Sequence, residues 1–411
     1  YSRLHAIQRI IPYFPRPPTA APLFYQCGAP PVFLLELPLV LRALCVLATG
    51  LILGGQINRA IYGFAVFSRR ISPWAPPEPN APPRRWSDRI PVFGWLGLRR
   101  EASIHGSGFW VRPLLIELFT GVGLMLLYIA EVQGWLISPR VAISLENPQV
   151  VAMLHWQFLA HAVLIVLMLP ATFIDFDEQT IPDEITVPGM LLGLVLTTAF
   201  PATRLLTLAL NGAGFISLEP LLLTSPQREM ILPLAHSSVT VTGMGPPVWP
   251  AWLNGPWGLW LALACLLGYC FALLDRRWIT RRGVSKAVQY FFIRMVRRNG
   301  IWWKSLTLAV VGSAAVSGVW LLGGTPWQGL LSSLVGMACG GGIVWCVRLL
   351  GYWSLGREAM GFGDVTLMAM IGAFVGWQGA LLVFLLAPFM ALFIAVAQLL
   401  LTRKTEIAFG P

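Results

Sequence analysis

About nine apolar runs, each roughly 18 to 22 residues long, constrain this chain more than any other feature, because each suits a hydrocarbon core of roughly 30 Å. They lie near Leu37–Gly55, Pro113–Ile129, Trp156–Ile174, Glu184–Phe200, Trp257–Leu274, Ser305–Leu322, Gly329–Leu350, a short run from Val365, and Ala380–Leu401. Gly340-Gly341-Gly342 interrupts the seventh. Only 11% of the 411 residues are charged and 56% are hydrophobic, where a soluble domain carries about a quarter charged residues. The pattern predicts an all-α polytopic transmembrane bundle of about nine spans. Many of the 18 Trp stand near run ends, as an interfacial belt requires.

The net charge is +11. A basic chain could bind nucleic acid, but here the Arg and Lys side chains occupy loops between apolar runs, the pattern of loops held inside a membrane against anionic lipid. No nucleic-acid partner is expected. Alternating sides from the first loop places 68–112, 175–183, 275–304, 351–364 and Arg403-Lys404 on one side, and every strongly basic segment falls there. That side is read as cytoplasmic, and the membrane as the inner one. The chain divides into a Pro-rich disordered tail (1–32), two helices with a basic loop at 68–112 (33–130), helices flanking a first aspartate (131–205), an outer loop, helix and basic segment (206–304), and a last helical unit (305–411). The six Cys show no spacing for a disulfide framework or a metal site. No cleavable signal peptide is evident, and a chain running from Tyr1 to Phe409-Gly410-Pro411 reads as part of a longer protein.

Two acidic sites stand out on the inner side. Gly361-Phe362-Gly363-Asp364 sets an aspartate between flexible glycines at the start of an apolar run, which reads as a carboxylate on unwound backbone. Far upstream, Asp175 ends another run in Ile174-Asp175-Phe176-Asp177-Glu178-Gln179-Thr180-Ile181-Pro182-Asp183. Two carboxyls sharing a proton and a water suit peptide hydrolysis, one as base and one as acid. Ordinary helix-end acids in contact with water and basic loops fit the same residues. Asp177 and Glu178 are rivals to Asp175, and Asp183, after Pro182, is placed to cap the following helix. Glu117 is expected to pair with Arg112, and Glu36 with Arg42. His155 and His161 fall on the opposite side by parity, away from the aspartates.

These motifs, in this order, resemble the prepilin peptidases, or type IV leader peptidases. Gly54 to Tyr62, with Asn58, Ile61 and Tyr62, resembles a family segment; so do Arg89 to Leu96, Arg112 to Leu118 and the late Phe409-Gly410-Pro411 turn. The resemblance implies an integral-membrane aspartic endopeptidase that removes the basic leader of type IV prepilins and pseudopilins at the cytoplasmic boundary. It makes Asp175 and Asp364 the catalytic pair and Gly361 and Gly363 the residues that shape the loop, with Pro182 and Asp183 in support. Proteolysis needs no cofactor. Many members also methylate the new N-terminus with S-adenosylmethionine. The family's cytoplasmic loop often binds zinc through paired cysteines; with none between Ser68 and Arg112, no metal is expected and N-methylation is left open. The chain also holds two helical hairpins between the aspartates where the family usually has one. A proton-coupled transporter, or a degenerate homologue that assists assembly without catalysis, are the alternatives.

Overall fold

The computed structural model describes residues 37–65, 71–78, 80–133, 148–200, 209–210, 216–217, 249–273, 301–355 and 360–402. The N-terminal tail, Glu36, most of the outer loop, nearly all of the basic 275–304 segment and Arg403-Lys404 lie outside these residues. In chain order the helices are α1 (Leu39–Phe64), α2 (Phe93–Leu98), α3 (Ala102–His105), α4 (Val111–Val132), α5 (Pro148–Glu178), α6 (Asp183–Ala199), α7 (Pro256–Ala272), α8 (Ile301–Leu322), α9 (Gly324–Leu355) and α10 (Phe362–Thr402). One antiparallel ladder of two residues per strand, Ala209–Leu210 with Ile216–Ser217, is the only sheet among the described residues.

The protein is an all-α multi-pass membrane protein. Among the described residues six helices are long and apolar enough to span a bilayer: α1, α4, α5, α8, α9 and α10. The difference from nine runs has two physical causes. The fourth and fifth runs form α6 and α7, each 17 residues, and at 1.5 Å per residue these rise about 26 Å. The last two runs join in α10, which breaks at Gly376 (φ 75°, ψ 176°), between the eighth run and the ninth. The expected interruption at Gly340-Gly341-Gly342 is absent: α9 runs through it. Those glycines serve close approach instead, since a Cβ on Gly340 would come within 2.4 Å of the Met368 carbonyl oxygen on α10.

Two groups of helices form the bundle. In the first, α1 packs on α4 and both contact α5. Gly50 and Gly54 let the backbones meet: a Cβ on Gly54 would lie 2.6 Å from Glu117 Cα, and one on Gly50 2.8 Å from Gly121 Cα. Without a hydrophobic drive between helices in lipid, such small-residue stripes supply the packing. In the second group α6, α9 and α10 pack together, and α7 and α8 lie against α9. Gly336 and Gly372 do the corresponding work there, each with room for no Cβ against the other's carbonyl oxygen, at 2.2 and 2.1 Å. The main core runs through this second group, with Met190, Leu331, Leu334, Met337, Met370 and Ala373 fully buried.

Residues 71–110 fold as a compact cap on α4. A small core of Ile71, Trp95 and Leu98 is reinforced by buried charge pairs. Arg84 grips Glu101 with two hydrogen bonds, at 3.3 and 3.2 Å, and His105 Nε2 lies 3.3 Å from the same carboxylate. Arg100 holds Asp88 through both oxygens, and the Arg85 amide donates to Asp88 at 2.6 Å. Burial pushes the Asp88 carboxyl up, but the Arg100 hydrogen bond, the Arg85 amide and the Arg100 charge outweigh it and hold it below its ordinary value. The described loop residues do not fit zinc: its two buried acids are each engaged by an arginine, and no three ligating side chains converge among the described residues.

Glu117 fastens the cap. It is 3% exposed and accepts from the Val92 amide at 2.6 Å, the Trp95 indole at 2.8 Å and the Asn58 amide at 3.3 Å. Val92 adopts φ 66° to aim that amide, an unusual conformation for a β-branched residue. The expected Glu117–Arg112 pair is therefore replaced. Glu117 faces inward on α4, bonded to Asn58 of α1, while Arg112 at the mouth of α4 reaches α5.

Candidate active site

Asp175 lies in the last turn of α5, where the side chain faces the bundle and is 7% exposed. The helix stops because Gln179 turns left-handed (φ 54°) and its amide closes onto the Asp175 carbonyl at 2.7 Å. Asp177 and Glu178 belong to the same turn but face elsewhere. Asp177 accepts from Arg112 Nη1 at 2.9 Å to both oxygens, and the Arg112 guanidinium stacks over Phe173. Asp177 thus ties the mouth of α4 to the end of α5.

The second carboxylate arrives on regular helix, which corrects the expectation of unwound backbone: α10 begins at Phe362, and Asp364 is in its first turn. Only Gly361 precedes the helix, and its amide donates back to Asp364 Oδ2 at 3.0 Å. Gly363 has a different task. A Cβ there would lie 2.8 Å from Ile181 Cβ and 3.1 Å from the Ile181 carbonyl oxygen. Glycine lets the start of α10 press against the 179–182 turn, which carries Asp175 towards Asp364. Arg348 of α9 sits 5.8 Å over the Phe362 ring.

Asp183 does not cap α6. Pro182 is the cap residue, with no side-chain cap bond, and Asp183 is the first helical residue. Its carboxylate still meets the positive end of the helix dipole, but its hydrogen bond reaches across to α10: Thr366 Oγ1 lies 3.3 Å from Asp183 Oδ1. Thr186 donates to the same hydroxyl at 3.1 Å. Thr366 has a single proton, for which Asp183 and the Gly363 carbonyl, at 3.0 Å, compete. This threonine pair locks α6 to α10 two residues beyond Asp364. Sequence reading missed it; the one available signal was a polar residue recurring near each aspartate motif.

The two selected aspartates, 189 positions apart in the chain, stand at helix ends that adjoin: α10 contacts α5, and Gly363 packs on Ile181 of the turn after Asp175. Neither is saturated. Asp175 has no hydrogen-bond donor on its carboxyl among the described residues, and Asp364 has the Gly361 amide. His155 and His161 lie well away, about 30 Å and 20 Å along α5 from Asp175 by helix rise. His155 is within hydrogen-bonding distance of Tyr128 and Arg42, and His161 Nδ1 sits 2.6 Å from Glu131. Arg42, for which Glu36 was the expected partner, thus engages Tyr128 and His155 among the described residues.

A helical membrane bundle with two under-donated carboxyls at adjoining helix ends, Asp175 buried and Asp364 half-buried, defines the class of site. Residues 298–396 match the type IV leader peptidase family. The matched stretch holds α8, α9 and most of α10, and so Asp364, and leaves Asp175 outside. The chain is also similar to proteins named prepilin leader peptidase/N-methyltransferase. It is 34% identical over 118 residues to the one from Myxococcus xanthus (28% of this chain, 28% of that protein). It is 36% identical over 88 residues to the one from Escherichia coli K12 (20% and 37%), and 30% over 137 residues to that of Klebsiella pneumoniae (33% and 51%). The similarity spans between about a quarter and a half of those relatives' lengths. No solved structure matches. Over part of its length the chain is thus similar to the prepilin leader peptidases, and the stretch matching the family holds Asp364.

Proposed function

We propose that this chain is a membrane-embedded aspartic endopeptidase that removes the basic leader of type IV prepilins or pseudopilins, with Asp175 and Asp364 as its catalytic pair. The observation that carries the reading is that Asp364, inside the family-matched segment, and Asp175, outside it, stand at adjoining helix ends, where Gly363 packs closely on the 179–182 turn. Two carboxyls in one site share one proton. The ionised one takes a proton from water as the oxygen attacks the scissile carbonyl, and the protonated one donates to the carbonyl oxygen. The tetrahedral intermediate then collapses, with the proton passing to the leaving amine. The pair titrates as a unit.

The basic loops orient the site towards the cytoplasm, with their cations against anionic lipid of the inner membrane. The test is prepilin processing in membranes containing the full chain, Asp175→Asn or Asp364→Asn, read by mass spectrometry. The expected result is leader loss with the unaltered chain and with neither variant. Processing by either variant overturns the pair. The product mass also reads whether the new N-terminus carries a methyl group, the second activity in the relatives' names.

A further inference from the structure

The cap on α4 holds a helix that is apolar on every side. Apart from the Trp95 indole, spent on Glu117 at 2.8 Å, α2 has no polar side chain: it reads Phe93-Gly94-Trp95-Leu96-Gly97-Leu98. Trp95 and Leu98, three positions apart, face the cap core with Ile71. Phe93 and Leu96, at the same spacing, share the opposite face, where they are 71% and 43% exposed. A helix with two apolar faces needs an apolar partner on each. The level of α2 in the bundle indicates what covers the outer one. Glu117, which accepts from the Val92 amide and the Trp95 indole, stands six positions past Val111, about 9 Å inside the membrane helix α4. Ile90 and Pro91, leading into α2, line one cavity with Ile52, Gly55 and Gln56 of α1, also a membrane helix. Gly55 lies nine positions, about 14 Å, before the α1 end at Phe64. This segment is therefore level with the inner ends of two apolar runs rather than beyond them. Arginines flank it: Arg89 sits 5.0 Å over the Trp74 ring before α2, and Arg99 4.9 Å over the Trp110 ring after it. Exposed apolar side chains bracketed by Arg–Trp pairs are the composition of a membrane interface.

We propose that the face of α2 carrying Phe93 and Leu96 lies in the acyl chains of an anionic phospholipid leaflet, with Arg89 and Arg99 at the phosphates. Interfacial helices bury their apolar face about 5–10 Å into the headgroup boundary, a depth comparable with that of Glu117 inside α4. Charge selects lipid over a second copy of this chain, which carries +11 and would bring the same arginines to the contact. The basic 68–112 loop is then not wholly in water: its 89–99 part belongs to the membrane surface and holds the cap at a fixed depth. The inference needs only the spanning helices, not the peptidase reading.

The experiment uses the full chain in vesicles of equimolar phosphatidylethanolamine and phosphatidylglycerol, with p-benzoyl-phenylalanine in place of Phe93. On illumination the benzophenone bonds to a neighbouring C–H, and mass spectrometry of the peptide holding residue 93 identifies what was there. The expected result is the added mass of one phospholipid. A bond to another segment of this chain, to a second copy or to no lipid at all overturns the proposal. Phosphatidylglycerol adducts outnumber phosphatidylethanolamine adducts, because each arginine near an anionic surface contributes about 1 kcal/mol, or roughly a factor of five. Arg89→Gln combined with Arg99→Gln returns the ratio to about one; a ratio of one with both arginines present overturns their role. A second measurement needs no substitution. Hydroxyl-radical oxidation of Phe93 in the vesicle-bound chain is at least about tenfold slower than in its isolated peptide, since the hydrocarbon holds no water to carry the radical. Oxidation at the peptide's own rate places Phe93 in water and overturns the proposal whether or not the labelled chain accumulates.

Discussion

The α1–α4 group and the α6–α9–α10 group solve the same packing problem and treat their acids in opposite ways. Both bring helices together on glycine stripes, Gly50 and Gly54 in one and Gly336 and Gly372 in the other. In the first group and its cap, arginines hold Asp88 and Glu101, two amides and an indole hold Glu117, and Glu131 of α4 faces His161 at 2.6 Å. Where α5 ends against the second group, Asp175 has no donor among the described residues, and Asp364 of α10 has one backbone amide. A saturated carboxylate is locked in its charge state and serves as a fastener. An under-donated one can exchange its proton with a water or a substrate. The contrast sets the fastened acids of the cap apart from the candidate catalytic pair.

The largest effect that could break this contrast is on cleavage. Asp175→Asn and Asp364→Asn each lower prepilin processing by at least about a hundredfold, while Asp177→Asn, which loses only the Arg112 tie, leaves the rate within about threefold; comparable losses in all three would erase the distinction. Next comes stability. Glu117→Ala strands the Val92, Trp95 and Asn58 donors and costs about 3 kcal/mol, seen as a lowered Tm in detergent, with Glu117→Gln retaining part of the loss. Smaller is Gly363→Ala, whose new methyl must push Ile181 aside. Shifting the 179–182 turn lowers cleavage about tenfold with little change in Tm. The smallest effect is on pH. Asp88 is held below its ordinary value by Arg100 and the Arg85 amide, against burial, so its contribution is complete above the ordinary carboxylate range, about pH 4. It is lost as pH falls through the lowered value. Limited proteolysis within 71–110 therefore rises only at the acid end, and Asp88→Asn makes that rise independent of pH.

The sequence by itself determined the class of fold. Apolar runs of bilayer length leave a chain few choices, because each backbone polar group in lipid must be satisfied within its own helix. The two aspartates were legible for a related reason: an acid at the end of an apolar run is costly enough to stand out. What the sequence could not decide was which helix end faces which. Asp183 looked like a cap and instead receives Thr366 of α10; Glu117 looked like the partner of Arg112 and instead fastens the cap domain, leaving Arg112 to Asp177. Gly340-Gly341-Gly342 looked like a break and is a contact surface. In each case the residue's type was informative and its partner was not. Partners 22 to 183 positions apart are chosen by how helices rotate and cross, and no local pattern encodes that geometry.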